Sequence, residues 1–543
     1  MAQHYLEPAI AALERGRGLK LESPHYLEGL LAFYRESYDA AERAAELAAD
    51  EAPWLYEARR LAGDVAYARA AARLDGGEYD EARAGFERAA GRYEQAAEIG
   101  RSDALNYEAL AQAWMKLAEV DERQGKPRKD ALARALEASG KAVRAASRRA
   151  SSRTRRAQVL IDWYQLMQYD GGGEDPAPLL VEWLDTAARA VELDPGDVHA
   201  YDALGYGHFT RGLALARAGG DPGPAYDEAI AALGRALERQ PNYPWALNEL
   251  ANVYRWKGNQ QREHGHDPRV EYAEAERYFT QAIASDPKYL IAHWNLGDLY
   301  NEWASYGLAH GLDPQGEVRK AIELGGRALA LDGKFYQALN QAAVAELTLA
   351  QHLVERGDDV GDHLRQAFDY LDRSRAINPT FGRTWSYRAE AHRLAAFQAL
   401  RAGADPRADF DAGRAALVAA FRAEPDCLGC RITSAQLGLV EASWAHARGA
   451  SALPSLRRAQ ADARRALAIY PHAEGHEELA RVCFRLAEAS PPGDARAAID
   501  EGLAQAEEAL RLDPNLKHAQ AIRDGLRLAR ARDVRGAAAS GGP

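Results

Sequence analysis

The stretch ALGRALERQPNYPWALNELANVY, residues 232–254, decides the fold. Its first part spaces small and apolar residues along one helix face. Pro241 then breaks the rhythm, because proline has no N–H to donate and pushes the residue before it away from helical geometry. A second rhythm follows, with Leu247, Leu250, Ala251 and Tyr254 on one face. Such a stretch is either a lone site or the junction between copies of a structural unit. Spacing favours the junction. Prolines that end apolar helical stretches stand at Pro195, Pro241, Pro287, Pro379, Pro425 and Pro471, at intervals of 46, 46, 92, 46 and 46. Gly333, in LALDGKF, marks the midpoint of the interval of 92 and is itself a helix stop. Pro514 follows 43 residues after Pro471. Upstream, AEIGRSDALNYEALA (97–111) matches VELDPGDVHAYDALG (191–205) at an offset of 94, and EAPWLYEARRLAG (51–63) reads as an earlier copy.

A second signal recurs every 46 residues: GGDP (219–222), GHDP (265–268), GLDP (311–314), GDDV (357–360), GADP (403–406) and a degenerate GASA (449–452). Glycine ends one helix, aspartate caps the next, and proline takes its first position with φ already set. Each unit therefore reads as two antiparallel helices. For the copy after Pro241 the first helix runs to about Gly258, and the second carries Ala275, Phe279 and Ala282 before Pro287.

Composition agrees. The 543 residues exceed a single ordinary core, so the chain is several domains or an extended array. Ala, Leu, Glu and Arg favour helix, and alternating strand patterns are almost absent. Lys plus Arg is 68 against 80 Asp plus Glu, a net charge of −12, which argues against a general nucleic-acid binder. Three cysteines make no disulfide framework and point to a reducing, cytoplasmic setting. No signal-peptide pattern opens the chain, and no apolar run is long enough to span a membrane.

The repeating residues resemble the tetratricopeptide repeat (TPR). Leu250-Ala251, Tyr254, Ala275, Phe279, Ala282 and Pro287 fill its pattern. So do Leu296-Gly297, Tyr300, Ala321, Ala328 and Gly333 in the next copy, and Leu204-Gly205, Ala229, Leu233, Ala236 and Pro241 in the one before. The usual unit is about 34 residues; the extra length here lies between the two helices. The resemblance implies an all-α solenoid, a right-handed superhelix of about ten or eleven antiparallel hairpins. The expected organisation is less regular hairpins over 1–150, regular 46-residue repeats over 151–532, and a disordered tail over 533–543. With LERGRGLKLESPHYLEGLLAFY (13–34) ahead of them, the long Ala-rich units also resemble the C-terminal TPR region of bacterial eukaryotic-like serine/threonine protein kinases, the myxobacterial kind above all. The chain carries none of the kinase motifs themselves. That resemblance implies a partner or a regulatory portion of such a kinase, not kinase activity.

Candidate chemistry is sparse. GYGHFTRG (205–212) has a G-x-G start, but Gly205 falls at the small position of a repeat helix and no strand precedes it. Cys427 and Cys430, in CLGC, have C-x-x-C spacing without a second ligand pair; buried or turn cysteines are the simpler reading. His264 and His266 lie in a turn signal, and His472 and His476 do not complete a zinc motif. No catalytic, cofactor or metal residue is expected. The segment KAVRAASRRASSRTRRAQ (141–158) holds seven cations and no acid. It reads as a solvated helix end, as an anion or acidic-partner patch, or as a phosphorylation site at Ser151.

The family's first helices line a concave groove at the second, fifth, ninth and twelfth positions of the unit. Here the resemblance assigns that role to His199, Asp202, Tyr206 and Phe209; to Trp245, Asn248, Asn252 and Arg255; to Ile291, Trp294, Asp298 and Asn301; and to Arg383, Glu390 and Arg393. Aromatic rings offer contact area, and asparagine can bond a peptide backbone in both directions. The alternative is that several of these residues pack between neighbouring first helices. Asn248, Asn252 and Asn295 match the asparagines of the family's carboxylate clamp, but Asn248 and Gln337 stand where its lysines would be. The expected function is a non-catalytic scaffold that binds a protein or peptide segment, a serine/threonine kinase or its signalling partners among the candidates, with no nucleic acid or membrane partner.

Overall fold

The computed structural model describes residues 6–18, 23–170, 175–491 and 494–540, with the side chains of 169–170 and 533–540 set aside. Among the described residues there are 24 α-helices and no strand. The upstream helices are α1 (Glu7–Gly16), α2 (Pro24–Tyr34), α3 (Tyr38–Glu51), α4 (Tyr56–Asp75), α5 (Tyr79–Ile99), α6 (Ala104–Arg123), α7 (Lys129–Ala145) and α8 (Ala150–Asp170). They are followed by α9 (Ala177–Leu193), α10 (Val198–Arg217), α11 (Gly223–Arg239), α12 (Pro244–Glu263), α13 (Arg269–Ser285), α14 (Leu290–Ala309), α15 (Gln315–Leu331) and α16 (Tyr336–Arg356). The last are α17 (Gly361–Ile377), α18 (Gly382–Arg401), α19 (Arg407–Ala423), α20 (Leu428–Ala447), α21 (Leu453–Ile469), α22 (Ala473–Ala489), α23 (Arg496–Leu512) and α24 (Ala519–Ser540). The pairs from α2–α3 to α22–α23 make eleven hairpins. From α9 to α21 every second helix has 17 residues and ends 46 after the one before. The spacing of 43 between Pro471 and Pro514 has its cause in α22, which has 17 residues where α20 has 20.

Two details differ from the sequence reading. Helix α12 does not stop near Gly258 but continues to Glu263. Gly258 sits inside it because the Tyr272 ring occupies the space of a side chain; a β-carbon there would lie 2.6 Å from the ring. The turn aspartates also act one step earlier than expected. The side chains of Asp221, Asp267, Asp313 and Asp405 accept the N–H two residues on, and the proline between opens the helix as its N-cap. The glycines end their helices with φ near +70°, a conformation only glycine adopts at little cost. Of the expected tail, 533–540 are described as backbone of α24, and 541–543 lie outside the described residues.

The chain forms two compact units, Met1–Val253 and Tyr254–Pro543. In the first, Trp183 is fully buried, and its indole N–H donates to the Ala203 carbonyl at 2.9 Å. Gly205 packs on Leu233, where a β-carbon would meet Cγ at 2.5 Å, so its glycine serves close helix packing rather than a phosphate loop. In the second, Ala275, Phe279 and Ala282 are fully buried, and Tyr254 stacks on Tyr278 at 5.6 Å.

The second unit has contacts that no local repeat rule demands. Its last hairpins reach back to the turns that follow α12, α14 and α16. The Arg262 Nε donates to Glu474 at 3.0 Å and the Tyr470 hydroxyl to Glu263 at 2.7 Å. The Lys517 backbone N–H donates to the Ala309 carbonyl at 3.0 Å, and the Lys517 ammonium to Glu355 at 2.8 Å. His310 Nε2 meets Asp513 at 2.9 Å, with both side chains nearly buried. Burial works against a charged His310, but the bond and charge of Asp513 and the bond to the Tyr306 carbonyl together outweigh it and hold the imidazole above its ordinary value. A histidine raised by folding stabilises fully below its unfolded value and loses that contribution as pH rises through the folded one. Hydrogen exchange of residues 510–520 is therefore expected to be slower at pH 6 than at pH 8 after correction for intrinsic rates. His310→Gln should erase the difference.

Candidate binding wall on the first helices

In the first unit the wall is built by α10 and the start of α12. Capping by Asp197, whose carboxylate accepts the N–H groups of His199 and Ala200, starts α10. His199 Nδ1 lies 2.6 Å from the Tyr243 hydroxyl, and the Tyr243 ring sits 5.4 Å from that of Trp245. Trp245 is 49% exposed, unusual for the largest apolar side chain. Tyr206 accepts a bond from Gln165 and packs on Trp183. Phe209 is buried. Asn248 is also fully buried; its amide donates to Glu249 at 3.0 Å, and the Asn252 amide reaches the same carboxylate at 3.5 Å. Asp202 has a buried Oδ1 with no hydrogen-bond partner. Burial, with Glu249 adding to it, pushes the Asp202 carboxyl well above the usual carboxylate range. Burial raises Glu249 to about 7, against the opposing bonds from Asn248 and Asn252. Sequence reasoning missed Glu249, which stands one residue past an assigned groove position.

In the second unit the assigned positions are mostly engaged by neighbours. Arg255 forms a two-pronged bond to Glu302, at 2.8 and 2.5 Å, and lies 3.7 Å from Asp298. Asn259 joins Glu302 at 3.2 Å and accepts from the Tyr272 hydroxyl at 2.6 Å. Burial raises Asp298 to about 6, Arg255 opposing it and Glu302 adding to it. Asn301 is buried and donates to the Gln341 carbonyl at 2.9 Å. Trp294 meets Phe335 edge-on at 5.7 Å, and Ile291 packs beside it. Arg393 is buried and bonds Glu390 and Gln351. Arg383 is exposed. Asn301 and Arg393 thus bond the neighbouring first helix α16, whereas the bond of Asn248 to Glu249 stays within α12. Glu302, which collects Arg255 and Asn259, was missed because it lies one position beyond the twelfth.

The remaining sequence candidates also have partners. Ser151 donates to Glu108 at 3.0 Å and accepts from Arg149, Arg153 bonds the Ser147 carbonyl, Arg155 bonds Gln112, and Arg156 bonds Glu182. Of the cations of 141–158, Arg149, Arg155 and Arg156 thus meet a carboxylate or amide on a neighbouring helix, and Lys141 pairs with Glu137 in its own. Cys427 and Cys430 form a disulfide across the first turn of α20, which the sequence reading did not anticipate; Cys483 is free and buried. His264 bonds the Gln260 carbonyl and His476 bonds Gln505. Among the described residues no group of three His, Cys, Asp or Glu side chains could hold a metal ion, and no helix is long and apolar enough to cross a membrane.

No protein-family profile matches the chain, and no curated protein matches it. Solved structures do. A human IFIT1 dimer with PPP-AAAA is 16% identical over 93% of this chain and 94% of that one, with a TM-score of 0.40. TTC0263, a thermophilic TPR protein of Thermus thermophilus, is 20% identical over 45% and 99%, with a TM-score of 0.30. YrrB, a TPR protein with an unusual peptide-binding site, is 19% identical over 42% and 88%, with a TM-score of 0.24. At such identities and scores function must be argued from the chain itself. By its hairpin pairs, its buried Ala and aromatic packing positions and its turns, the chain is an all-α array of TPR-type hairpins.

Proposed function

We propose that this protein is a non-catalytic scaffold that holds a protein or peptide segment against the first-helix wall of its first unit. The observation that supports the reading is a pair of carboxylates, Asp202 and Glu249, beside exposed Trp245, with no ion-pair partner for either among the described residues. Burial without a cation raises both, Glu249 adding to the rise of Asp202, and a Lys or Arg brought by a ligand relieves that penalty. The wall therefore suits a basic segment with an apolar side chain for Trp245. Because Glu249 titrates near 7 when the wall is empty, binding of a cation should expel a proton. Affinity is expected to rise about tenfold from pH 5.5 to pH 8, one ionisation being worth up to that much per unit. A labelled Arg/Leu/Lys-rich peptide in fluorescence anisotropy checks this. Trp245→Ala should weaken binding at both pH values, and Glu249→Gln should flatten the pH profile. Equal binding by both variants would remove the wall from the proposal.

The kinase-associated reading, in which the chain is the regulatory portion of a serine/threonine kinase or its partner, has the 46-residue units and the 13–34 stretch in its support. Co-purification with a catalytic kinase chain encoded beside it is the test, and its absence from such complexes would end that reading.

A further inference from the structure

The second unit holds a basic cavity away from the wall just described. Its volume is about 780 Å³, within the range of ligand pockets. It lies where the C-terminal hairpins come back against α16 and α18. Arg356, Arg401, Arg481, Arg485, Lys517 and His518 line it, against the single carboxylate of Glu355. In a chain of net charge −12, five Lys and Arg side chains around one cavity are a local excess. Phe397, Phe484 and Ile522 form its apolar floor.

The charge is only partly neutralised. Lys517 pairs with Glu355, Arg481 with Glu477 and Glu478, and Arg485 with Glu488. Arg401 has no carboxylate within reach among the described residues. Its guanidinium donates to the Val354 carbonyl at 2.7 Å and packs over Gly357. Gly357 has φ +95°, and a β-carbon there would come 2.7 Å from the Arg401 Nη2, so the glycine opens room for the cation. The His518 imidazole has no hydrogen-bond partner among the described residues. Arg401 keeps a guanidinium on the cavity with no carboxylate of its own, and the His518 imidazole beside it offers a further N–H, so the two can receive an anion.

We infer that this cavity binds an acidic peptide segment, with its carboxylates on Arg401, Arg485 and Lys517 and an aromatic or long aliphatic side chain on the Phe397–Phe484–Ile522 floor. Glu355 lines the cavity among the cations, and Glu477, Glu478 and Glu488 stand behind them as partners of Arg481 and Arg485. A continuous phosphate backbone would run into those carboxylates, whereas a peptide spaces its acids between apolar residues. The Lys517–Glu355 and Lys517–Ala309 bonds assemble the cavity from repeats far apart in sequence. The site is independent of the Trp245 wall and of its preference for a basic segment.

The test is selection of a displayed random heptapeptide library on the full-length protein. Selected peptides are expected to carry at least two more Asp or Glu residues than the unselected library, flanking an aromatic or aliphatic residue. The best of them, fluorescein-labelled, should lose at least tenfold in affinity with Arg401→Gln plus Arg485→Gln, and keep its affinity with Trp245→Ala. Circular dichroism reports whether the double variant folds; Arg485→Gln alone, at an exposed residue, should still lose about threefold. The proposal is overturned if selection shows no acidic enrichment, if the arginine variants bind the peptide as wild type does, or if Trp245→Ala abolishes binding. It is equally overturned if a (dT)8 oligonucleotide binds more tightly than the peptide and responds to the same arginines.

Discussion

Gly265→Ala is expected to loosen the C-terminal hairpins of the second unit, whereas Gly403→Ala, at the same place in its own turn, is not. Both glycines end a first helix with φ near +70° (+73° and +70°). An alanine at either position accepts left-handed strain of about 1–2 kcal/mol. The surroundings differ. A β-carbon at 403 meets nothing within 4 Å. One at 265 would lie 1.9 Å from the Leu512 carbonyl oxygen and 2.9 Å from the Asp513 α-carbon. That obstacle is backbone and cannot rotate aside. It must move, and Asp513 carries the bond to His310 while Lys517, four residues on, carries those to Ala309 and Glu355. The expected result is at least twice the fall in melting temperature for Gly265→Ala. Amide exchange should also rise at least tenfold over residues 505–525, with no such rise for Gly403→Ala. Equal shifts in the two variants would mean that the turn and the last hairpins are not mechanically linked.

This contrast shows how far the sequence could be read. The period of 46 announces every hairpin from Pro195 to Pro471, because proline and glycine stops act through local backbone sterics. Leu250, Ala251, Phe279 and Ala282 are buried as their spacing predicts, since helix periodicity alone fixes which face is covered. What spacing cannot give is the partner across the array. Gly265 and Gly403 have the same signature, GxDP, yet one supports the last hairpins and the other faces open space. The groove positions show the same gap. Counting along the unit picks out Trp245 and Asn248 with equal weight, but Trp245 is half exposed and Asn248 is fully buried. Glu249, Glu302 and the cations around Arg401 gain meaning only from helices 40 or more residues away, as in the bond from Arg255 to Glu302.

Trp183→Ala is the core substitution with the largest expected effect in the first unit. Trp183 is 0% exposed, anchors to the Ala203 carbonyl, and lies 5.4 Å from the Tyr206 ring and 6.1 Å from that of Tyr164. Gly207 leaves space for it; a β-carbon there would stand 3.2 Å from Trp183 Cε2. Removing the indole leaves a cavity among α8, α9 and α10 and is expected to cost about 3–5 kcal/mol. Trp183→Phe keeps most of the volume and should cost about half as much, largely through lost contact and the lost N–H bond. The damage should stay local. In a stacked array each hairpin leans on its neighbours, and far-reaching bonds of this unit, such as Arg217 to Gln168, span only 49 residues. Exchange protection is therefore expected to fall over α8–α11 while α4 and α5 keep theirs. Tyr272→Ala, in the second unit, should behave differently. Tyr272 is also fully buried, and its hydroxyl bonds Asn259, which bonds Glu302. The end of α12 is tied to α22 by a contact spanning 212 residues. Loss of protection there should spread to α22–α24 as well as to α12–α14. If Tyr272→Ala stays as confined as Trp183→Ala, the returning contacts contribute little to the cooperativity of the second unit.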